Sequence, residues 1–340
     1  MKIISRDSKF KTEVIVLMLV ILSLGVYLLF SNIGNKVVWK KESSPAPIFY
    51  YSVLDGLPVS STENMNPSVV GIMIDNHPDA RPQNGLSSAK LIYEAPAEGG
   101  ITRYLAIFDA NQSIEKIGPV RSARPYFVDW LQEYGGLYMH CGGSPDALAK
   151  IKIEKIFALN EMYNSVYFWR DNNRSAPHNL YTNSAHWNKF FSIGKTAGKF
   201  LAGWKFGNLS TNNLEPVKNI SIEYSSNYFV DWMYLADSKK YQRLVNNKKQ
   251  QEDGLNLLGD NIIIQYVKTQ VLDDYGRLGI AITGQGDMRL LRDGVMMRGI
   301  WKKENDRTRF YDLAGQELIL KPGKIWVQIV PKDINIKIST

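Results

Sequence analysis

The stretch VIVLMLVILSLGVYLLF, Val14 to Phe30, contains no charged residue. At about 1.5 Å per residue, a helix of this length barely spans a hydrocarbon core of roughly 30 Å. Lys2, Arg6, Lys9 and Lys11 precede it, and Lys36, Lys40 and Lys41 come after it. The basic leading flank places the N-terminus in the cytoplasm, although the trailing lysines reduce the asymmetry. A cleaved signal peptide is the competing reading. No small-x-small cleavage site comes after Phe30, and no cysteine stands there for lipid attachment. The pattern therefore predicts an uncleaved single-pass anchor in the cell membrane, with the globular part extracytoplasmic. It divides the chain into a basic tail (1–13), an anchor (14–30) and a long remainder.

The composition is that of an ordinary globular protein: over the 340 residues, 44% are hydrophobic and 22% charged. The formal net charge of +8 favours acidic partners such as wall polyanions, phosphate groups or a membrane surface. Nucleic acid is not expected, because zinc-finger spacing, RNA-binding aromatic signatures and a basic helix are absent from the sequence. Cys141 is the single cysteine, so no intrachain disulfide can form.

Residues 31–66 mix Ser, Pro, Asn and Lys and read as a tether that touches the fold through IFYYSVLDGLPV. From Ser68 onward, strand-like VVGIMID, AKLIYEAPAEGG and ITRYLAIFD mix with helical PYFVDWLQEY, SPDALAKIKIEKI and SAHWNKFFSIGKTAGKF. That mixture predicts an α/β or α+β domain over 67–210. Beyond it, ISIEYSS, NYFVDWMYLA, KYQRLV, NIIIQYV, GVMMRGIWKK and KIWVQIV are short, β-branched or aromatic runs. They predict a smaller, mainly antiparallel β domain over 211–335. Trp232, Trp301 and Trp326 lie in such runs and read as core rather than as a glycan-stacking face. GQGDMR at 284–289 begins like a glycine fingerprint, lacks its third glycine and reads as a turn.

The chemistry-bearing pattern is IGPVRSARPYFVDW, residues 117–130. Pro125 suits the first position of a helix, and Phe127, Trp130 and Leu131 form an apolar stripe behind it. Arg121 and Arg124 thus stand at a helix N-terminus, where the dipole already favours an anion and disfavours cations. A bound phosphate or carboxylate would resolve that conflict, and so would a salt bridge to Glu94, Glu98 or Asp129. HCGGSPDALAKI supplies a second helix start. Gly142 and Gly143 allow close backbone approach, and Ser144 with Pro145 forms a cap and first turn. Arg103 lies in ITRYLAIF on the face shared by Ile101, Leu105 and Ile107, so it needs a partner once buried.

Asp75 ends the apolar run GIMID, a common ligand position in open sheets, and is the candidate for holding a cation. A turn acid bonding the local backbone is the alternative. His77, His140 and His178 sit in the loops NHP, HCGG and RSAPHNLYT, and with Asp75 they are conceivable metal ligands. Their spacing lacks the regularity of a zinc motif. Serine-hydrolase, Walker and zincin motifs are absent from the sequence, so whether the protein is an enzyme stays open.

GIMIDNHPDARPQNGLSSAKLIYEAPAEGGITRYLAIF, IGPVRSARPYFVDW, HCGGSPDAL and APHNLYT resemble the YerB-like family of bacterial envelope proteins, a domain of unknown function. GQGDMRLLRDGVMMRGIWKK and ILKPGKIWVQIVP look like that family's C-terminal domain. Many members are lipoproteins; this chain lacks the lipid-acceptor cysteine, which implies the transmembrane helix as its substitute. A fainter similarity in the order of elements is to the LytR-CpsA-Psr phosphotransferases. It implies a divalent cation such as Mg²⁺ on Asp75 and a pyrophosphate on Arg103, Arg121 and Arg124. The Arg-Asp pairs typical of those enzymes are missing, since Tyr104 comes after Arg103 and Pro125 after Arg124. Two functions stand as expectations. One is binding of, and metal-assisted phosphotransfer on, a phosphate-bearing wall precursor or polymer. The other is a non-catalytic module that positions or regulates a cell-wall enzyme.

Overall fold

The structure is a computed structural model and describes residues 6–34, 49–192, 203–211, 214–304 and 307–340. Val14–Phe30 lies inside one helix, α1 (Arg6–Gly34). Its Lys9–Ser31 portion is long and apolar enough to cross a membrane, and none of it is buried by protein. Lys2, the end of the predicted helix SAHWNKFFSIGKTAGKF beyond Ser192, and the tether over 35–48 lie outside the described residues.

Phe49–Thr340 forms a separate compact unit. It begins earlier than the sequence implies. Tyr50–Tyr51 pairs with Pro58–Val59, and Leu54 is buried, so the later part of the expected tether belongs to the fold. The strands that matter are β1 (Val69–Ile74), β2 (Leu91–Pro96), β3 (Thr102–Asp109), β4 (Leu137–His140) and β5 (Ala158–Asn160). From the second half of the chain come β6 (Asn219–Ser225), β7 (Tyr228–Leu235), β8 (Lys240–Val245), β9 (Asn261–Val267), β10 (Gly284–Arg292), β11 (Val295–Glu304) and β12 (Ile325–Pro331).

An eleven-stranded sheet runs through both halves in the order β11-β10-β9-β12-β2-β3-β1-β4-β5, with two further strands on β11. The join is a parallel pairing of β12 with β2, Ile325 opposite Leu91 through Gln328 opposite Glu94. The segments predicted as two domains therefore share one sheet. β1 and β2 are buried along their whole length without alternation because both their faces are covered. One face packs on α2 (Pro125–Gln132), where Phe127, Trp130 and Leu131 meet Tyr93, Leu105 and Val327. The other packs on a six-stranded sheet built around β6, β7 and β8, where Trp232 and Tyr228 meet Ile92, Tyr104 and Trp326. Each such large side chain contributes about 1.5–3 kcal/mol by burial. Trp232, Trp301 and Trp326 are core, as their runs imply.

GQGDMR is not a turn; it opens the nine-residue strand β10, which forms a long hairpin with β11. Gly286 faces Trp301 there, and a Cβ on it would meet the indole Nε1 at 2.6 Å. The glycine is present for close approach rather than for a bend.

Candidate functional site

β1 and β4 run parallel, so the residues after them, Asp75 and Cys141–Ser144, emerge at one edge of the sheet. The segment 119–123 threads between these ends. Asp75 N donates to Pro119 O at 2.9 Å, Arg121 N to Met73 O at 2.9 Å, and Ala123 N to Gly142 O at 3.0 Å. On the other side of β1, antiparallel β3 pairs Tyr104 with Ile74 and thereby carries Arg103 alongside Asp75. The outcome is an open cleft of about 660 Å³ lined by Asp75, Glu98, Arg103, Arg121 and Arg124, with Arg277 added from the second half of the chain. His77, Gly143, Ser144 and Tyr275 complete the rim.

Three arginines from the first half face two carboxylates. Arg124 Nε donates to Glu98 Oε1 at 2.5 Å, and an Arg103 terminal nitrogen lies 3.6 Å from Glu98 Oε2. Another Arg103 nitrogen donates to Ser122 O at 3.0 Å. Arg121 Nε lies 3.0 Å from Asp75 Oδ2, close enough for an ion pair yet misaligned for a hydrogen bond. Its two terminal nitrogens take no protein partner among the described residues and stay open to solvent. Burial pushes the Asp75 carboxyl up, but the Arg121 charge, the His77 amide and His178 together hold it below its ordinary 3.8. Glu98 is likewise held below 4.5, against its burial, by Arg124 and Arg103. Arg103 is driven down, first by burial and then by repulsion from Arg124. The cleft is short of negative charge.

Both oxygens of Asp75 are in contact with protein groups. Its Oδ1 accepts from His77 N at 3.0 Å, and its Oδ2 contacts His178 Nδ1 at 2.7 Å as well as Arg121. The Arg121 guanidinium beside Oδ2 already supplies the positive charge that a cation would bring and would repel one, so the carboxylate does not fit the Mg²⁺ role implied by analogy. His77 stacks on His178 with ring centroids 4.6 Å apart and 13° between planes. With Asp79, these two place ligand atoms within 4.8 Å of one another. Near-parallel rings aim their in-plane lone pairs side by side rather than at one point, which a shared metal would need.

His140 does not join them. It is buried beside Tyr138, its Nδ1 lies 2.7 Å from Gly142 O, and burial pushes its pKa down to about 4. Gly142, with φ +60, does not line the cleft, and its amide donates to Asn160 Oδ1 at 2.9 Å. Ser144 caps α3 (Pro145–Ile153) by accepting from Ala147 N, and its own amide goes to Ala123 O. The turn thus spends two of its backbone donors internally. Burial and Glu161 push the Cys141 thiol up to about 11, which disfavours the thiolate. Of the acids proposed from sequence as arginine partners, Glu98 serves, Asp129 pairs with Lys150 at 2.8 Å, and Glu94 is buried elsewhere with Arg243.

The family described as "Protein of unknown function (DUF3048) N-terminal domain" matches residues 54–196, and its C-terminal domain matches 220–327. The Bacillus subtilis (strain 168) protein named "Putative lipoprotein YerB" is 32% identical over 276 residues, covering 77% of this chain and 81% of that one. The crystal structure of YerB from Bacillus subtilis superposes with a TM-score of 0.76 at 30% identity, covering 84% of this chain and 99% of that one. The chain belongs to the DUF3048 family. The fainter LytR-CpsA-Psr similarity gains no support from these relatives.

In this DUF3048 chain the N-terminal family segment supplies Asp75, Glu98 and the three arginines, and the C-terminal one supplies Tyr275 and Arg277. Sequence reasoning misses the latter two. They sit in a polar turn, DDYGRLG, that carries no periodic signal, and only the fold brings it to the cleft. Arg277 is held there by Asp273 at 2.5 Å and lies 5.6 Å from the centroid of the Tyr275 ring.

Proposed function

We propose that this protein is a membrane-anchored envelope protein whose cleft binds an anionic, phosphate-bearing ligand. The observation that carries the reading is the charge imbalance: with Arg277 paired to Asp273, three further arginines line the cleft against two carboxylates, and Arg121 turns unpartnered N–H groups into it. A phosphate could accept from Arg121 bidentately while the buried Arg103 and the half-buried Arg124 supply field from behind. The location rests on α1 and on a relative named as a lipoprotein. In this reading the helix does the work of the lipid, with the basic tail in the cytoplasm and Phe49–Thr340 outside. Metal-assisted transfer is not part of the proposal, since the Arg121 guanidinium already stands where a cation on Asp75 would be.

A non-catalytic module that positions a cell-wall enzyme is the second reading. It is favoured by one observation: Asp75 and Glu98 between them contact Arg103, Arg121 and Arg124. Calorimetric titration of the full chain in uncharged detergent with pyrophosphate separates the two. Binding that Arg121→Ala weakens about tenfold, or ~1.4 kcal/mol, is expected. No uptake at millimolar pyrophosphate, or the same affinity in Arg121→Ala, would leave the interaction module standing.

A further inference from the structure

The loop from Asp75 to Pro82 has a cleft on each side. His77 lines the one already described, while Pro78, Arg81 and Pro82 line a second, of about 620 Å³. The far wall of the second cleft is the turn after β8, carrying Lys248 and Lys249. Three cations line this cleft with one carboxylate, Asp253. Lys248 and Lys249 are exposed and make no ion pair among the described residues. Arg81 donates to Asn76 Oδ1 at 3.2 Å and to Asn76 O at 2.9 Å, lies 5.3 Å from the Tyr228 ring centroid, and pairs with no carboxylate among the described residues.

The shared wall is braced. Gln83, buried beneath it, donates to Asp75 O at 3.0 Å on one side and accepts from Gln250 Nε2 at 2.9 Å on the other. Arg174 donates to Arg81 O at 2.8 Å and to Pro82 O at 3.2 Å. Two positively surplus clefts are therefore held at fixed separation by a ridge one loop thick. Asp79, exposed on the ridge, is the acid between them.

We propose that the ligand is a linear polyanion with repeated phosphates, which crosses the Asp75–Pro82 ridge and occupies both clefts at once. The inference rests on the anion reading of the first cleft and adds a second subsite, built from Arg81, Lys248 and Lys249. A chain engaged at the first cleft meets the second intramolecularly, so affinity rises with chain length without new chemistry. A single phosphate group can use only one cleft.

The test compares pyrophosphate with long-chain inorganic polyphosphate on the full chain in uncharged detergent. Polyphosphate is expected to bind about tenfold tighter or more than pyrophosphate. The double variant Lys248→Ala, Lys249→Ala should erase most of that gain and leave the pyrophosphate affinity within about twofold. A charge-matched control, Lys152→Ala with Lys189→Ala, removes two exposed lysines outside both clefts and should keep the gain. Equal loss in control and variant would mean diffuse attraction to a basic surface and overturn the proposal, as would pyrophosphate binding with no gain from chain length. That second result leaves the first cleft's function intact, whereas absence of pyrophosphate binding removes the reading beneath both.

Discussion

Glu94–Arg243 and Asp75–Arg121 are both carboxylate–guanidinium pairs set against apolar strands, and they serve opposite ends. Both partners of the first are sealed from solvent; in the second Asp75 is buried, while Arg121 keeps 28% of its side chain exposed. Glu94 accepts from Thr102 at 2.6 Å, Tyr228 at 2.8 Å, Arg243 at 2.8 Å and Gln328 at 2.9 Å. Arg243 is surrounded by the rings of Tyr104, Trp232 and Trp326 at 5.3 to 5.7 Å. The charges match, and the pair fastens β2 to β8 and β12 across the two halves of the chain. At Asp75 the arginines outnumber the acids and one of them stays open. Residue type is shared; closure and charge stoichiometry separate the brace from the binding surface.

The largest expected effect tests the brace. Arg243→Ala leaves Glu94 without its counter-charge inside the protein and should cost about 3–5 kcal/mol in urea unfolding, against less than about 1 kcal/mol for Arg121→Ala. Equal losses would dissolve the distinction. Next is Asp75. Its folded carboxyl titrates below 3.8, so the stability it contributes is whole above that value and is lost as the pH falls below it. Asp75→Asn should lower stability near neutrality by about 1–2 kcal/mol. It should also flatten that part of the acid limb between pH 4 and the lower folded value; urea midpoints across the range check it. An unchanged acid limb would show that the Arg121 and His178 contacts do not persist in solution. The smallest effect sharpens the charge argument. Glu98→Gln removes one of the cleft's two acids and should tighten pyrophosphate roughly fivefold, or ~1 kcal/mol, with some loss of stability because Arg103 and Arg124 lose their carboxylate. Weaker binding would mean that Glu98 orients Arg103 and Arg124 more than it neutralises them.

Much of this architecture is legible locally. Pro125 and Ser144 start the helices that their positions imply, and Arg103 lies among Leu105 and Ile107 on the buried face that alternation assigns it. The signal for Arg243 is present too: in KYQRLV it alternates with Tyr241 and Val245 on an apolar face, the same argument that applies to Arg103. Range is what misleads. Glu94 reads as a partner for arginines nearby in sequence, although its actual partner stands 149 residues away. Asp75 and His178 each stand out alone, yet their contact joins residues 103 apart. The glycines of GQGDMR read as a turn, while its strand is decided by the partner β11 that needs Gly286 small.

By itself, the sequence determined the apolar N-terminal helix, the buried strands, the helix starts and the placing of Arg121 and Arg124 at one of them. Those features depend on hydrophobic periodicity and caps within a turn or two of each residue. Only the tertiary structure decided that both halves share one sheet, that Glu94 is spent on Arg243, and that Arg277 and Lys248 face the first half's loops. Such choices depend on which distant charges are desolvated together, and a charge's cost is set by the burial that the whole fold creates, not by its neighbours in the chain.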